Sequence, residues 1–163
     1  MSIDGHPDVQ DSQRPAKNGK PMAETVAKWA RSVLQTRPLA DARLTISPSC
    51  VHRLYDSCVY LWEEIGFTNI VMADSSYELW EESHITEYDH QLSKLADYLY
   101  SDFVGGGAKS IAVLSIFMKR LVDARSKDEA VERRNFPCGA GYNYSMIDHN
   151  GDIWPCHRFD GAA

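Results

Sequence analysis

No uninterrupted apolar run in these 163 residues approaches the length of a bilayer-crossing helix, and the N-terminus lacks a signal-peptide pattern. The chain therefore reads as cytoplasmic. Basic residues are in deficit: 17 Lys and Arg stand against 23 Asp and Glu, for a net charge of −6. No basic block interleaves with aromatics, so nucleic acid is excluded as an expected partner, and so is a membrane surface. Cysteine is scarce. The four at uneven spacings in a Trp-containing chain of this length do not form a disulfide framework, which leaves reduced thiols or metal ligands. Gly105-Gly106-Gly107 is not a phosphate loop, because no Gly-Lys-Ser/Thr follows it and no strand precedes it, and it reads as a flexible turn. No internal repeat is visible.

What is present suffices for one core, at 44% hydrophobic content. Residues 15–21 form a polar loop by their turn chemistry. A helix is expected from Met22 to Gln35, with Val26, Trp29, Ala30, Val33 and Leu34 as its apolar stripe. Pro38 follows it, and Arg43 to Ser47 is a strand candidate ended by Pro48. Ser49 is expected to cap a second helix, with Val51, Leu54, Tyr55, Cys58, Leu61, Trp62 and Ile65 at helical spacing and Gly66 at its close. Phe67 to Ala73 is the next strand. The loop from Ala73 to Glu82 holds Ser75, Ser76, Tyr77 and Trp80 at a strand's carboxyl end, where α/β folds place ligands. Either substrate contact or a packed connection under Trp80 fits it. A long helix is expected from Ile85 to Phe103, with Tyr88, Leu92, Leu95, Ala96, Leu99 and Phe103 on one face. Another is expected from Ser110 to Ala124, then a charged linker from Lys127 to Arg134. Alternating strands and helices make the fold class α/β with a parallel sheet built of βαβ units.

The most informative stretch lies near the C-terminus. Cys138 and Cys156 frame an alternating segment from Tyr144 to Ile147, a turn at Asp148-His149-Asn150-Gly151 and a second run, Asp152-Ile153-Trp154. This is a predicted β-hairpin, because Asn-Gly tolerates the positive φ that tight hairpin turns need. Closing it lets the two cysteines meet at its open end, where a shared metal is the natural use for them. Asp148 and Asp152 read as solvated turn carboxylates and His149 as exposed. Tyr142, Tyr144 and Trp154 are expected to pack against the preceding α/β part.

The spacing Cys-x12-Gly-x4-Cys, ending in Pro-Cys-His-Arg-Phe, resembles the opening half of the SPASM domain, the extension that follows the barrel of many radical S-adenosylmethionine (SAM) enzymes. A second resemblance lies at Ser2-Ile3-Asp4-Gly5-His6-Pro7, with Asp11 and Arg14 following. It is similar to a Ser-x-Asp-Gly-Pro-like segment at the end of the fourth barrel strand in sulfatase-maturase and peptide-maturase members, followed there by a loop carrying Asp and Arg. From the residues alone, the same segment also reads as a disordered leader ending in a turn. The resemblance implies residues 1–134 as the C-terminal part of a partial (β/α) barrel, about three βα units, and 135–163 as the start of the cluster-binding extension. It implies Ser2 and Asp4 at the SAM pocket and Cys138 and Cys156 as ligands of an auxiliary 4Fe-4S cluster. The activity implied is modification of a peptide or protein side chain through a 5′-deoxyadenosyl radical.

The sequence departs from the family in two respects. It holds no Cys-x3-Cys-x2-Cys loop for the cluster that reduces SAM, so this chain is expected to be unable to cleave SAM without the missing N-terminal barrel half. Cys50 and Cys58, eight apart on an expected helix, read as packing residues instead. His157 stands where sulfatase-maturing members carry a catalytic Asp, which favours a peptide-maturase-like relative; it reads either as a base or as a surface histidine. Two other functions compete. One is a small zinc module using Cys138, Cys156 and a histidine, His149 or His157, although no Cys-x2-Cys knuckle is present. The other is a metal-free scaffold that pairs its open sheet edge with another polypeptide.

Overall fold

A computed structural model describes residues 1–115, 140 and 145–156. Backbone contacts divide the chain into Met1–Val122 and Asp123–Ala163. The first unit is α/β. Its elements are α1 (Pro7–Gln13), α2 (Ala23–Thr36), β1 (Ala42–Ile46), a 3₁₀ turn (Val51–Arg53) leading into α3 (Leu54–Tyr60), β2 (Asn69–Asp74), α4 (Glu82–Val104) and β3 (Ser110–Ile111). The strands form a parallel sheet in the order β1-β2-β3. Ser2 adds a parallel bridge to Arg43 on the far side of β1, where Ile3 N–H donates to the Arg43 carbonyl at 3.0 Å. The leading residues are thus held to the sheet and not left as a disordered leader.

Alternation along β1 sorts its side chains. Ala42, Leu44 and Ile46 are buried toward the helices, while Arg43 is exposed and Thr45 half-buried on the opposite face. Register carries this pattern across the sheet: Arg43 lies beside Val71, and Thr45 beside Ala73. The helix-facing side holds the core, with Ile3, Leu44, Phe67, Ile70, Leu95 and Ile111 almost fully buried. Truncating Phe67 to alanine would cost about 3–5 kcal/mol by ordinary core behaviour. Ser2 and Arg43 leave the opposite face open at one edge.

Several boundaries differ from the sequence reading, each for a packing reason. In α2 the buried positions are Ala23, Ala27 and Ala30, and Trp29 is 57% exposed. Of the expected stripe, Ala30 is buried and Val26 and Leu34 pack against the core, while small alanines at 23 and 27 let the helix approach closely and leave Trp29 outside. Ser49 does not cap the second helix; its hydroxyl pairs with that of Ser47 at 2.9 Å, and the N-cap is Cys50. Helix α3 widens into a π turn at Leu61–Ile65 before Gly66. α4 starts earlier than expected, because Glu81 and His84 form a reciprocal cap in which His84 Nδ1 accepts from the Glu81 N–H at 3.1 Å. Phe103, expected on the packed face, is 76% exposed, and Tyr98 instead stacks on Trp62 with ring centroids 5.3 Å apart.

Ser110 and Ile111, expected to open a helix, pair with Asn69 and Ile70 as β3, and 112–115 are helical after them. A two-residue strand has no periodicity to read; only the neighbouring strand defines it. The rest of the expected helix to Ala124, the linker from Lys127 to Arg134, and Tyr142 and Tyr144 lie outside the described residues. Helix α1 takes the place of the expected loop after Gly5, with Pro7 at its first position, where a missing N–H costs nothing. Asp11 on α1 accepts the backbone N–H groups of Met22 and Ala23 at 2.5 and 2.7 Å, so its carboxylate stabilises the start of α2.

Lys109 closes the loop before β3. Its Nζ lies 2.8 Å from Asp102 Oδ1 and 2.9 Å from Glu63 Oε1, and Glu63 also accepts from the Tyr98 hydroxyl. Hydrogen bonds from Tyr98 and then Lys109 hold Glu63 below the ordinary carboxylate range, and Lys109 does the same to Asp102. Both carboxylates are more acidic in the folded state, so their stabilisation is present above the ordinary carboxylate range and is lost as pH falls through it. Urea midpoints measured from about pH 7 to about pH 3 should therefore fall less steeply in Lys109→Met than in the native chain. Parallel curves would show that the cluster contributes nothing.

Candidate functional site

The parallel order brings the carboxyl ends of successive strands to one edge, the place where α/β sheets gather polar groups. The leading segment reaches this edge at Asp4, β1 at Thr45 to Ser47, and β2 at Asp74. Asp4 is 1% exposed. Its carboxylate accepts from Arg14 Nε, with Arg14 Nη2 3.4 Å from the second oxygen, and that oxygen also accepts the Thr45 N–H at 3.1 Å. Its own N–H donates to Gln10 Oε1 at 2.9 Å. Asp4 is thus tied to α1 through Gln10 and Arg14, and to β1 through Thr45. The buried charge is neutralised by a guanidinium that stays half-exposed, with its Nη2 3.5 Å from Thr45 Oγ1.

Gly5 follows with φ 105°, and a Cβ there would lie 2.2 Å from Ser57 Cβ. The Asp-Gly pair is therefore demanded by geometry: the aspartate must be buried and the next residue must pass against α3 in a left-handed turn. Next to it, Gln13 Nε2 donates to the Thr45 carbonyl at 3.3 Å and to Cys50 Sγ at 3.0 Å, and Ser47 Oγ lies 3.0 Å from the same sulfur. A cavity of about 10 Å³, one water-sized site, is lined by Asp4, Thr45, Cys50 and Ser57 among others. The residues missed by sequence reasoning are Gln10, Gln13, Thr45, Ser47 and Ser57. The signal available was the short helix implied by Pro7, which sets Gln10, Gln13 and Arg14 at helical spacing.

Further along the same edge, Ser75 N–H donates to the Ile46 carbonyl at 2.7 Å, and the Trp80 indole donates to the Ser75 carbonyl at 3.0 Å. Trp80 packs on the core, whereas Tyr77 and Leu79 are exposed. Tyr88 donates its hydroxyl to Asp74 Oδ1 at 2.9 Å, and burial, with Asp74 alongside, pushes its pKa up. Cys58 lies in the core, where burial pushes its thiol up to about 12 and leaves it unreactive.

No protein-family model matches the sequence, and a search of curated proteins finds no significant match.

The hairpin in the second unit is described over Ser145 to Cys156. β4 (Met146–Ile147) and β5 (Ile153–Trp154) pair antiparallel, Met146 with Trp154 and Ile147 with Ile153. The turn spans Asp148 to Gly151, as the sequence suggests. Gly151 alone has positive φ, at 91°; its N–H donates to the Asp148 carbonyl at 3.1 Å, and Asp148 N–H to the Asp152 carbonyl at 3.0 Å. This is a four-residue turn closed by a glycine bulge. Asp148 is no idle solvated carboxylate. Its oxygens accept from the N–H groups of Asn150 at 2.8 Å and Asp152 at 3.0 Å, and from the Trp154 indole at 3.1 Å. The Trp154 bond, above the backbone ones, holds its pKa below the usual range.

As for the expected ligands, Ser2 is exposed beside Arg43 at the sheet's edge, and Asp4 has both carboxylate oxygens engaged by protein groups. At the strand ends the half-exposed Arg14 guanidinium and the exposed Asp74 carboxylate are accessible to a polar ligand, whereas Ser2 lies two residues before Asp4, level with Arg43. Cys156 is buried and His149 exposed in the turn. Cys138 and His157 lie outside the described residues. Among the described residues no three His, Cys, Asp or Glu side chains gather as metal ligands, so Cys156 would meet a metal only in company with residues beyond them. No helix among the described residues is long and apolar enough to cross a membrane.

Two substitutions probe these turns. Gly5→Ala should destabilise the chain by about 2 kcal/mol or more, against about 1 kcal/mol for Gly19→Ala, which shares a positive φ but meets no neighbour within 4 Å. Equal urea midpoints for the two would discount the contact with Ser57. In the hairpin, Asp148→Asn should shift the Trp154 fluorescence spectrum at neutral pH and abolish the spectral change that the native chain shows when acidified through the carboxylate range.

Proposed function

We propose that this chain is part of a radical SAM enzyme of the SPASM class that modifies a peptide or protein side chain. Residues 1–134 would be the later βα units of its partial barrel, and 135–163 the start of the cluster-binding extension. The observation that carries this reading is the joining of Asp4-Gly5 to Arg14 beside the carboxyl end of β1. A Ser-x-Asp-Gly segment with a following arginine is thereby converted into one polar cluster at the ligand-binding edge of an α/β sheet. The exposed edge of the sheet's second face supports it as well, because parallel sheets are stable when both faces are covered. In this reading an N-terminal barrel half would supply that cover, and the enzyme would work in the cytoplasm.

In this reading SAM, when reduced by its cluster, supplies a radical able to abstract hydrogen. The sequence has no Cys-x3-Cys-x2-Cys, so the reducing cluster must be held by a different segment or polypeptide. Ser2 offers its hydroxyl to polar edges of SAM. Asp4 would act as the positioning group that fixes Arg14, whose remaining N–H donors would suit a carboxylate-bearing ligand. Cys138 and Cys156 would hold an auxiliary 4Fe-4S cluster, and thiolate sulfur suits that metal chemistry. His157, next to Cys156 in sequence, would serve as a base toward the substrate.

Anaerobic reconstitution with iron and sulfide, followed by metal and sulfide analysis, tests the reading. Iron and sulfide should be retained in equal amounts and lost from Cys138→Ala and Cys156→Ala. Zinc without sulfide would favour a zinc module, and a protein free of both would favour a scaffold; either result overturns the cluster assignment.

A further inference from the structure

His6 sits at the N-cap of α1, and its Nδ1 lies 2.8 Å from Arg53 Nη2. An arginine can only donate. For this contact to be a hydrogen bond, the imidazole nitrogen facing Arg53 must carry its lone pair, with the ring proton on Nε2. The surrounding charges are arranged for a second state. Asp8 Oδ2, from the first turn of α1, is 3.4 Å from the same Nδ1 and 3.6 Å from Arg53 Nη2. Asp56 Oδ2, from α3, is 3.1 Å from Arg53 Nη1. Its backbone N–H donates to Ser57 Oγ at 3.2 Å, and its ring meets the uncharged Tyr60 ring edge-on at 6.0 Å.

We propose that His6, Arg53 and Asp8 form a proton-sensitive clasp between the start of α1 and the segment that leads into α3. When Nδ1 takes a proton it can no longer accept from Arg53, and two cations then face each other. The imidazolium turns its new N–H to Asp8, and Arg53 falls back on Asp56. The direct tie from α1 to Arg53 is present while the ring is neutral and is lost as pH falls. The consequence reaches further than the clasp, because α1 carries Gln10, Gln13 and Arg14, the side chains that hold Asp4, Thr45 and Cys50 at the strand ends. Proton uptake at His6 therefore loosens the support of that cluster. This inference stands on the contacts around His6 and is independent of the radical SAM reading.

Nitrogen-15 NMR of the histidine rings and backbone amides of the whole chain, from about pH 8 to about pH 5, tests it. At the upper end His6 should show an unprotonated Nδ1 and a protonated Nε2. As the ring charges, the amides of Arg53, Ser57 and Thr45 should shift in step with it. In His6→Asn, where a favoured N-cap residue keeps an acceptor near Nδ1 but cannot titrate, those amide shifts should vanish. Arg53→Met approaches the contact from the other side, and it should remove the response of the Ser57 amide while leaving His6 free to titrate. A proton on Nδ1 at the upper pH, or amide shifts that persist in both variants, would overturn the clasp.

Discussion

The first unit depends on one buried carboxylate. Asp4 sits at the end of a single bridged segment beside β1, and it reaches two elements that contact the sheet differently: β1 through the Thr45 N–H and α1 through Arg14. A buried carboxylate is tolerable only when it is paired and hydrogen-bonded. Its requirement therefore fixes where α1 lies and which way Arg14 points. Gly5 allows this by passing against Ser57 with a left-handed backbone. Asp11, the residue after Gln10 on α1, then starts α2. One chain segment thus sets the position of the first two helices relative to the sheet.

The same logic operates in miniature in the hairpin. Asp148 binds two backbone N–H groups of its own turn and the indole of Trp154 on the returning strand. A two-residue-per-strand ladder is a weak structure by itself. Here the carboxylate crosses from turn to strand and holds the register that places Cys156 at the end of β5. In both places an aspartate followed closely by a glycine organises its surroundings from within, its oxygens committed to the protein.

Much of the plan could be read directly. Alternation in Arg43 to Ser47, the apolar run around Ile70, and the helical spacing of Leu54, Cys58, Leu61 and Ile65 placed the sheet and its main helices within a few residues of where they lie. Gly66 and Gly105 marked helix ends correctly. The misreadings share a cause. Helical spacing puts Trp29 and Phe103 on the buried faces, yet in α2 the fully buried positions are small alanines that permit close approach, and in α4 the aromatic contact goes to Tyr98 on Trp62. His84 capped a helix in a place where a Glu or Gln is the pattern to look for.

The sequence by itself determined the α/β class, the succession from α2 to α4 and the hairpin, because these follow from local periodicity and from turn residues with restricted backbone conformations. Asp4, Gly5 and Arg14 fall into one pattern only through the resemblance to the maturase segment, which implies Asp4 at a SAM pocket. Only the tertiary structure decided what Asp4 does, since whether a carboxylate faces a ligand or the protein depends on which donors other elements bring to it. It alone decided that Ser110 and Ile111 are a strand, because a segment that short is defined by its partner. It alone decided the hairpin's turn type, because the Asp148 carboxylate supplies bonds that the Asn-Gly pair does not. Long-range hydrogen-bond partners are absent from local sequence pattern, and in this chain they decide how the strand ends are used.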